Sequence, residues 1–316
     1  MVLPKPQHEE GIQVNITAAM VSELRTKTGA GMMDCKKALT EAQGDMEAAV
    51  DILRKKGLSA AAKKAGRVAA EGLVAGQGGP GCGVVAEVNA ETDFVAKNEN
   101  FQAFVDGVVK AVQVAAPADL EALLAADYPG TGRTVAEEQT HQIATIGENI
   151  NVRRFSRLEV GSGLVACYIH GAGKIGVLVA LETPAANDER IAALGHNLAM
   201  HVAAANPQCL CRDEVRAEEL EREKGIMREK ALASGKPANI VDKIIEGQVN
   251  KYFGEICLLE QAFVIDPDNK VAQIVAAAAK EVGAPVELKA YVRLQLGEGL
   301  EKKEDDFAAE VAAMTK

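Results

Sequence analysis

The sequence predicts an α+β fold, and three features of it carry that prediction. The first is an internal duplication: Gly72-Leu73-Val74-Ala75 recurs as Gly163-Leu164-Val165-Ala166, and Glu91-Thr92 recurs as Glu182-Thr183 at the same offset. Between these landmarks each copy has a strand, a glycine-rich turn (Gln77 to Gly81; Gly171 to Lys174) and a second apolar strand. Beyond them come a loop and an Ala-rich helix. Two such hairpin-plus-helix units imply a core of two related subdomains. The second feature is a run of three short, glycine-punctuated helices ahead of the duplication. The third is a pair of charged amphipathic helices that interrupts the second copy.

Bulk properties narrow the function. A chain of 316 residues has room for two or three domains, and 48% hydrophobic residues suffice for real cores. With no Trp and only 3% aromatics, those cores must be built from Ala, Val, Leu and Ile. A formal charge of -10 and a pI near 5.2 argue against a nucleic-acid binder, which needs a basic face to displace phosphate counterions. No segment approaches the ~20 apolar residues of a membrane span. Six scattered cysteines read as reduced, cytosolic thiols. Cys209 and Cys211, with His196 and His201 upstream, could be drawn as a metal site, but no second cysteine pair completes a tetrahedral set. A Cys/His nucleophile has no local catalytic signature. No metal, cofactor or enzyme activity is therefore expected.

Residues 1–15 contain two prolines and two glutamates but no Arg or apolar run, which reads as a disordered extension rather than a signal or transit peptide. Residues 16–57 form the helical module. Thr17 caps a first helix through Met20, Val21 and Leu24 that stops at Gly29-Ala30-Gly31. A second helix ends at Gly44, and a third runs from Asp45 to Gly57. The pattern Ala38-Leu39-x-x-Ala42-x-Gly44-Asp45, then Val50-x-x-Leu53-Arg54-x-x-Gly57, resembles the ubiquitin-associated fold. Met32 and Met33 are either core or exposed on such a bundle. Residues 58–70, holding Lys63, Lys64 and Arg67, read as a mobile basic helical linker.

Core subdomain N spans 71–152, and within it the stretch from Asn89 to Asn98 sets an aromatic, Phe94, among Glu, Asp, Lys and Asn. Such composition marks a solvated connection. Phe94 either folds back to staple its own helix or anchors in a partner's pocket. The duplication favours the anchor. Where the first copy continues Asp93-Phe94-Val95-Ala96-Lys97, the second has Pro184-Ala185-Ala186-Asn187, so the shared scaffold does not require an aromatic there.

Core subdomain C spans 153–298, with a coiled-coil arm at 211–256. One arm helix carries Val215, Leu220, Ile226, Met227 and Ala231. After the turn Ser234-Gly235-Lys236-Pro237, the other carries Ile240, Val241, Ile244, Ile245, Val249, Tyr252 and Phe253. The helix Val271 to Val282 then leads to a strand whose apolar face, Val286 to Leu296, alternates with Glu287, Lys289, Tyr291, Arg293 and Gln295. That polar face is expected to meet water. Residues 299–316 read as a C-terminal helical module with Phe307, Val311 and Met314 apolar.

Four strings in order, Thr28 to Leu39, Thr92-Asp93-Phe94-Val95-Ala96-Lys97, Ile146-Gly147-Glu148-Asn149-Ile150 and Ala199-Met200-His201-Val202-Ala203-Ala204, together resemble the bacterial elongation factor Ts family over almost the whole chain. The resemblance implies a cytoplasmic guanine-nucleotide exchange factor for the GTPase elongation factor Tu, with no active site of its own. It implies that Asp93 and Phe94, flanked by Thr92 and Val95, enter the GTPase beside its Mg²⁺ and displace the ion. It assigns further contacts to Arg25, Met32, Met33, Lys36, His170, Val264 and Met314, and makes the arm a candidate homodimer surface. The rival reading is an adaptor that binds a ubiquitin-like protein through the N-terminal bundle alone.

Overall fold

The computed structural model describes residues 15–234 and 238–300. Residues 1–14 of the expected extension, the arm turn at Gly235-Lys236-Pro237 and the terminal helix with Met314 lie outside the described residues. Three helices open the described chain: α1 (Ala18–Thr28), α2 (Met32–Glu41) and α3 (Met46–Lys64). The Thr17 hydroxyl accepts the Met20 N–H at 3.3 Å, and Gly29 ends α1 in the left-handed conformation at φ 66°. Asp45 starts α3 by accepting the Ala48 N–H at 2.9 Å. Val21, Leu24, Cys35, Ala38, Leu39 and Ala49 fill the space between these helices.

The core follows. β1 (Glu71–Ala90) is folded on itself, because a Cβ on Gly72 would collide with the Val88 carbonyl and one on Gly76 with that of Val84. After it come α4 (Asp93–Ala96), α5 (Glu99–Ala115), α6 (Leu120–Ala125), the two-residue strands β2 (Asp127–Tyr128) and β3 (Arg133–Thr134), and α7 (Val135–Ile146). The second copy gives β4 (Ile150–His170), β5 (Ile175–Glu182) and α8 (Glu189–Ala205). The arm is α9 (Ala217–Ala233) and α10 (Ala238–Ile256). The chain closes with β6 (Ala262–Phe263), β7 (Asp266–Lys270), α11 (Val271–Val282) and β8 (Glu287–Gln295).

The main sheet has the order β1-β4-β5-β8, with antiparallel neighbours. One face of β1, Val84, Ala86, Val88 and Ala90, packs with Phe101, Phe104, Val105 and Val108 of α5. One face of β5, Val177, Val179 and Leu181, packs with Ile191, Leu194, Leu198 and Val202 of α8. Val85, Val165, Leu178 and Ala180 form a third core on the other side. The centre of the sheet is thus buried on both faces, each such aliphatic contributing roughly 1.5–3 kcal/mol. Gly163 pairs with Glu182, and a Cβ there would collide with the Leu181 carbonyl, as at Gly72. In the second copy the repeated glycine thus faces the repeated Glu182, whereas in the first Gly72 lies against Val88 and Asn89, two residues before Glu91.

Three expectations are corrected. Helix α3 does not stop at Gly57 but continues to Lys64, because Gly57 faces α7 and brings the helices close: a Cβ there would sit 3.5 Å from that of Ala144. Segment 58–70 is held rather than mobile. Ala61 packs on the first core, Lys64 Nζ reaches the Ile143 carbonyl at 3.5 Å, and the Arg67 carbonyl accepts from Asn149 Nδ2 at 2.8 Å. On β8, the expected water-facing side is partly covered by α8. A register shift leaves Lys289 unmatched between the pairs Ala180–Ala290 and Leu181–Leu288, which flips the faces. Half-buried Tyr291 joins the second core and donates to the Pro207 carbonyl at 2.8 Å. Arg293 Nε reaches the Ala203 carbonyl at 3.5 Å.

A buried carboxylate ties these parts together. Glu87 is fully buried and accepts from Arg153 Nη1 at 2.8 Å, Arg154 Nε at 2.6 Å, Asn89 Nδ2 at 3.1 Å and the Gly297 N–H at 2.8 Å. Burial pushes its carboxyl up, but the Gly297 amide, Arg153, Arg154 and Asn89 together more than offset this. The net pKa lies below the ordinary 4.5. A depressed carboxyl stabilises the fold fully above its unfolded value, and that stabilisation is lost as pH falls through the folded value. Glu87→Gln is expected to lose about 3 kcal/mol in urea titration at pH 7. The gap to the parent should narrow once the pH drops below 4.5; a gap that widens on acidification would contradict this role.

Candidate protein-binding site

Strand β1 delivers the chain to α4, a single helical turn. Four residues cannot sustain a helix unaided, so α4 is held by its surroundings. The Thr92 amide donates to Glu148 Oε2 at 3.0 Å, and the Thr92 hydroxyl donates to Glu148 Oε1 at 2.7 Å. Val95, 7% exposed, turns inward and packs into the first core. Gln102 Nε2 donates to the Ala96 carbonyl at 3.1 Å, and Asn98 starts α5 by accepting the Asn100 and Phe101 amides at 2.9 and 3.2 Å. The turn is fixed at both ends and along its inner side.

Phe94 lies on the outer side, 77% exposed. It does not fold back onto its helix. Leaving a Phe in water forgoes roughly 2 kcal/mol of burial, so its placement calls for a gain elsewhere. Lys97 Nζ stands 5.7 Å from the ring centroid and 3.0 Å from Asp93 Oδ2, so a charged pair flanks the ring. At the equivalent place in the second copy, Thr183 is buried and its hydroxyl accepts the Ala185 N–H at 3.1 Å in a local turn. That turn carries no aromatic.

The remaining expected residues lie on other elements. Arg25 and Lys36 are exposed on α1 and α2, and Met32 and Met33 are 47% and 64% exposed, outside the bundle core. His170, at the end of β4, is exposed with Nδ1 2.9 Å from the Tyr168 hydroxyl. Val264 is 45% exposed, and its N–H donates to His201 Nδ1 at 3.2 Å. His201 is buried, its Nδ1 accepts from Val264 and its Nε2 lies 2.9 Å from Gln261 Oε1, so both nitrogens are committed, and burial lowers its pKa. Cys209 Sγ lies 3.5 Å from Cys257 Sγ. Among the described residues no group of three or more His, Cys, Asp or Glu is placed to hold a metal, and no helix is long and apolar enough to cross a membrane.

Glu148 was legible only as part of a string. Its partner Thr92 lies 56 residues away, and no local pattern links the two. The matching Glu91, which accepts the Asn149 N–H at 2.6 Å, was marked only by its recurrence as Glu182.

The scaffold is mixed α and β and displays an anchored turn with an exposed aromatic, the kind of side chain that anchors protein partners. The family model described as Elongation factor TS matches residues 91–298. Elongation factor Ts of Syntrophotalea carbinolica is 72% identical, covering 96% of this chain and 100% of that protein. That of Magnetococcus marinus is 60% identical, covering 95% and 99%, and that of Rhodospirillum centenum 57%, covering 95% and 98%. The chain belongs to the elongation factor Ts family, and its function lies in translation elongation.

The opposite placements of Phe94 and Val95 are separable by stability. Phe94→Ala is expected to unfold within about 0.5 kcal/mol of the parent, and Val95→Ala to lose about 2 kcal/mol, both read by urea titration. Equal losses would mean that Phe94 packs inward.

Proposed function

We propose that this chain binds elongation factor Tu in its GDP form and promotes GDP release, with Asp93 and Phe94 inserted beside the Mg²⁺ site of the GTPase. The observation that carries this reading is the exposure of Phe94 on a turn whose neighbours are all anchored. An aromatic presented in this way can fill a desolvated pocket. Displacing Mg²⁺ leaves the nucleotide phosphates less neutralised and weakens their hold. Exchange requires that the factor bind the nucleotide-free GTPase better than the GDP-bound one, so the element matters through that difference. Thr92 and Val95 serve the wedge from behind, by anchoring it.

In the same reading the first bundle, residues 16–57, is a ubiquitin-associated-like module that presents Arg25, Met32, Met33 and Lys36 to the GTPase. Residues 58–70 connect it to subdomain N (71–152). Subdomain C (153–298) adds His170 and Val264, and the C-terminal module (299–316) adds Met314. The arm, 211–256, is the candidate surface for pairing with a second copy. The protein acts in the cytoplasm and uses no cofactor of its own.

Stopped-flow release of a fluorescent GDP from elongation factor Tu tests the reading. The parent chain is expected to accelerate release, and Phe94→Ala to slow the maximal rate roughly tenfold or more. Acceleration that survives Phe94→Ala undiminished would move the driving contact to the bundle and to the second half of the core.

A further inference from the structure

The Glu148 carboxylate does more than satisfy a stray donor. Thr92 occupies the N-cap of α4, where a threonine hydroxyl ordinarily accepts an amide of the first turn. No side-chain capping bond forms there. The hydroxyl instead donates to Glu148 Oε1 at 2.7 Å while the Thr92 amide donates to Oε2 at 3.0 Å. One carboxylate takes both donors of a single residue, which fixes its position and its orientation together. A reciprocal bond runs the other way, from the Asn149 N–H to Glu91 Oε1 at 2.6 Å. Arg67 Nη1 approaches the same Glu91 carboxylate at 3.4 Å, so the segment leading from the bundle joins the network.

The duplication again provides the comparison. At the equivalent position the Thr183 amide donates to the Ser162 carbonyl at 2.9 Å and its hydroxyl accepts from Ala185. That hairpin end is closed by its own neighbours. Only the first copy gives up the local bond and reaches a carboxylate 56 residues away, and only the first copy carries Phe94.

We infer that Glu148 is a positioning residue for nucleotide exchange: its clamp on Thr92 sets the angle at which α4 holds Phe94 before the partner arrives. The inference rests on the reading of Phe94 as the exchange wedge. A four-residue turn ordered only as Phe94 inserts would lose backbone entropy at that step. Ordering it in the free protein removes that loss from the insertion that follows the first encounter, so it acts on the maximal rate rather than on the affinity of the encounter. Glu148 acts through Thr92 and Phe94 and need not touch the GTPase.

The test is a concentration series of stopped-flow GDP release from elongation factor Tu with the full-length chain. It compares the parent, Phe94→Ala, Glu148→Ala, Glu148→Gln and the double variant Phe94→Ala/Glu148→Ala. Glu148→Ala is expected to lower the maximal rate roughly five- to tenfold, with the half-maximal concentration changed by less than about twofold. Glu148→Gln keeps one acceptor oxygen and should fall between Glu148→Ala and the parent. The double variant should be no slower than Phe94→Ala alone, because residues acting through one group are not additive. A partly unfolded Glu148→Ala would move the half-maximal concentration and leave the maximal rate, so loss of fold is told apart from loss of position. A parental maximal rate for Glu148→Ala, or a double variant slower by the full product of the two single effects, would overturn the inference. A parental rate for Phe94→Ala alone would instead bring down the wedge reading, and the inference with it.

Discussion

The fold depends on one buried carboxylate being fully satisfied. Glu87 sits among the buried aliphatic residues near the end of β1 with no exposure, and it survives there because four donors from three parts of the chain converge on it. Arg153 and Arg154 come from β4, Asn89 from β1 itself and the Gly297 amide from just beyond β8. A buried charge is costly unless paired and hydrogen-bonded, so the arrangement selects geometry more than it adds net stability. It fixes the register of β1 against β4 and draws the end of β8 back to both. The same strand runs three residues past Glu87 to Ala90, where the Phe94 turn begins.

A second constraint is steric and is repeated. Gly72 and Gly163 each lie against the backbone of the opposite hairpin strand so closely that any side chain would collide. The glycine sets how tightly each hairpin closes, and the Glu-Thr pair, across from Gly163 in the second copy and two residues beyond the Gly72 contact in the first, starts the departing loop. Similar closure then leads to different ends. The second copy turns locally through Thr183 and Ala185. The first spends its threonine on Glu148 and carries an exposed aromatic on the resulting turn. The duplicated scaffold is thus the shared background, and the exposed Phe94 turn is where the first copy departs from it.

Much of this was readable from residue order, where the cause is local. Thr17, Gly29 and Asp45 mark helix ends through their own backbone and side-chain chemistry, and each end falls where those residues place it. The exposure of Phe94 followed from its polar neighbours and from its absence in the second copy. What could not be read depends on distant parts of the chain. Gly57 is a stop signal locally, yet α7 makes it a contact point. Strict alternation on β8 fails because one unmatched residue, Lys289, exchanges the faces. An acid in a strand such as Glu87 looks like an exception until the arginines of β4 are placed beside it. The partnership of Thr92 and Glu148 has no periodic signature at all.

The central claim is that Phe94 is exposed in the free protein and becomes buried against the GTPase during exchange. Replacing Phe94 with 4-fluorophenylalanine and recording its fluorine resonance in the presence of a soluble paramagnetic agent tests this directly. The free chain should show strong paramagnetic broadening, which disappears on adding nucleotide-free elongation factor Tu and returns when excess GDP dissociates the complex. A resonance already protected in the free chain, or one that stays equally accessible in the complex, would contradict the claim.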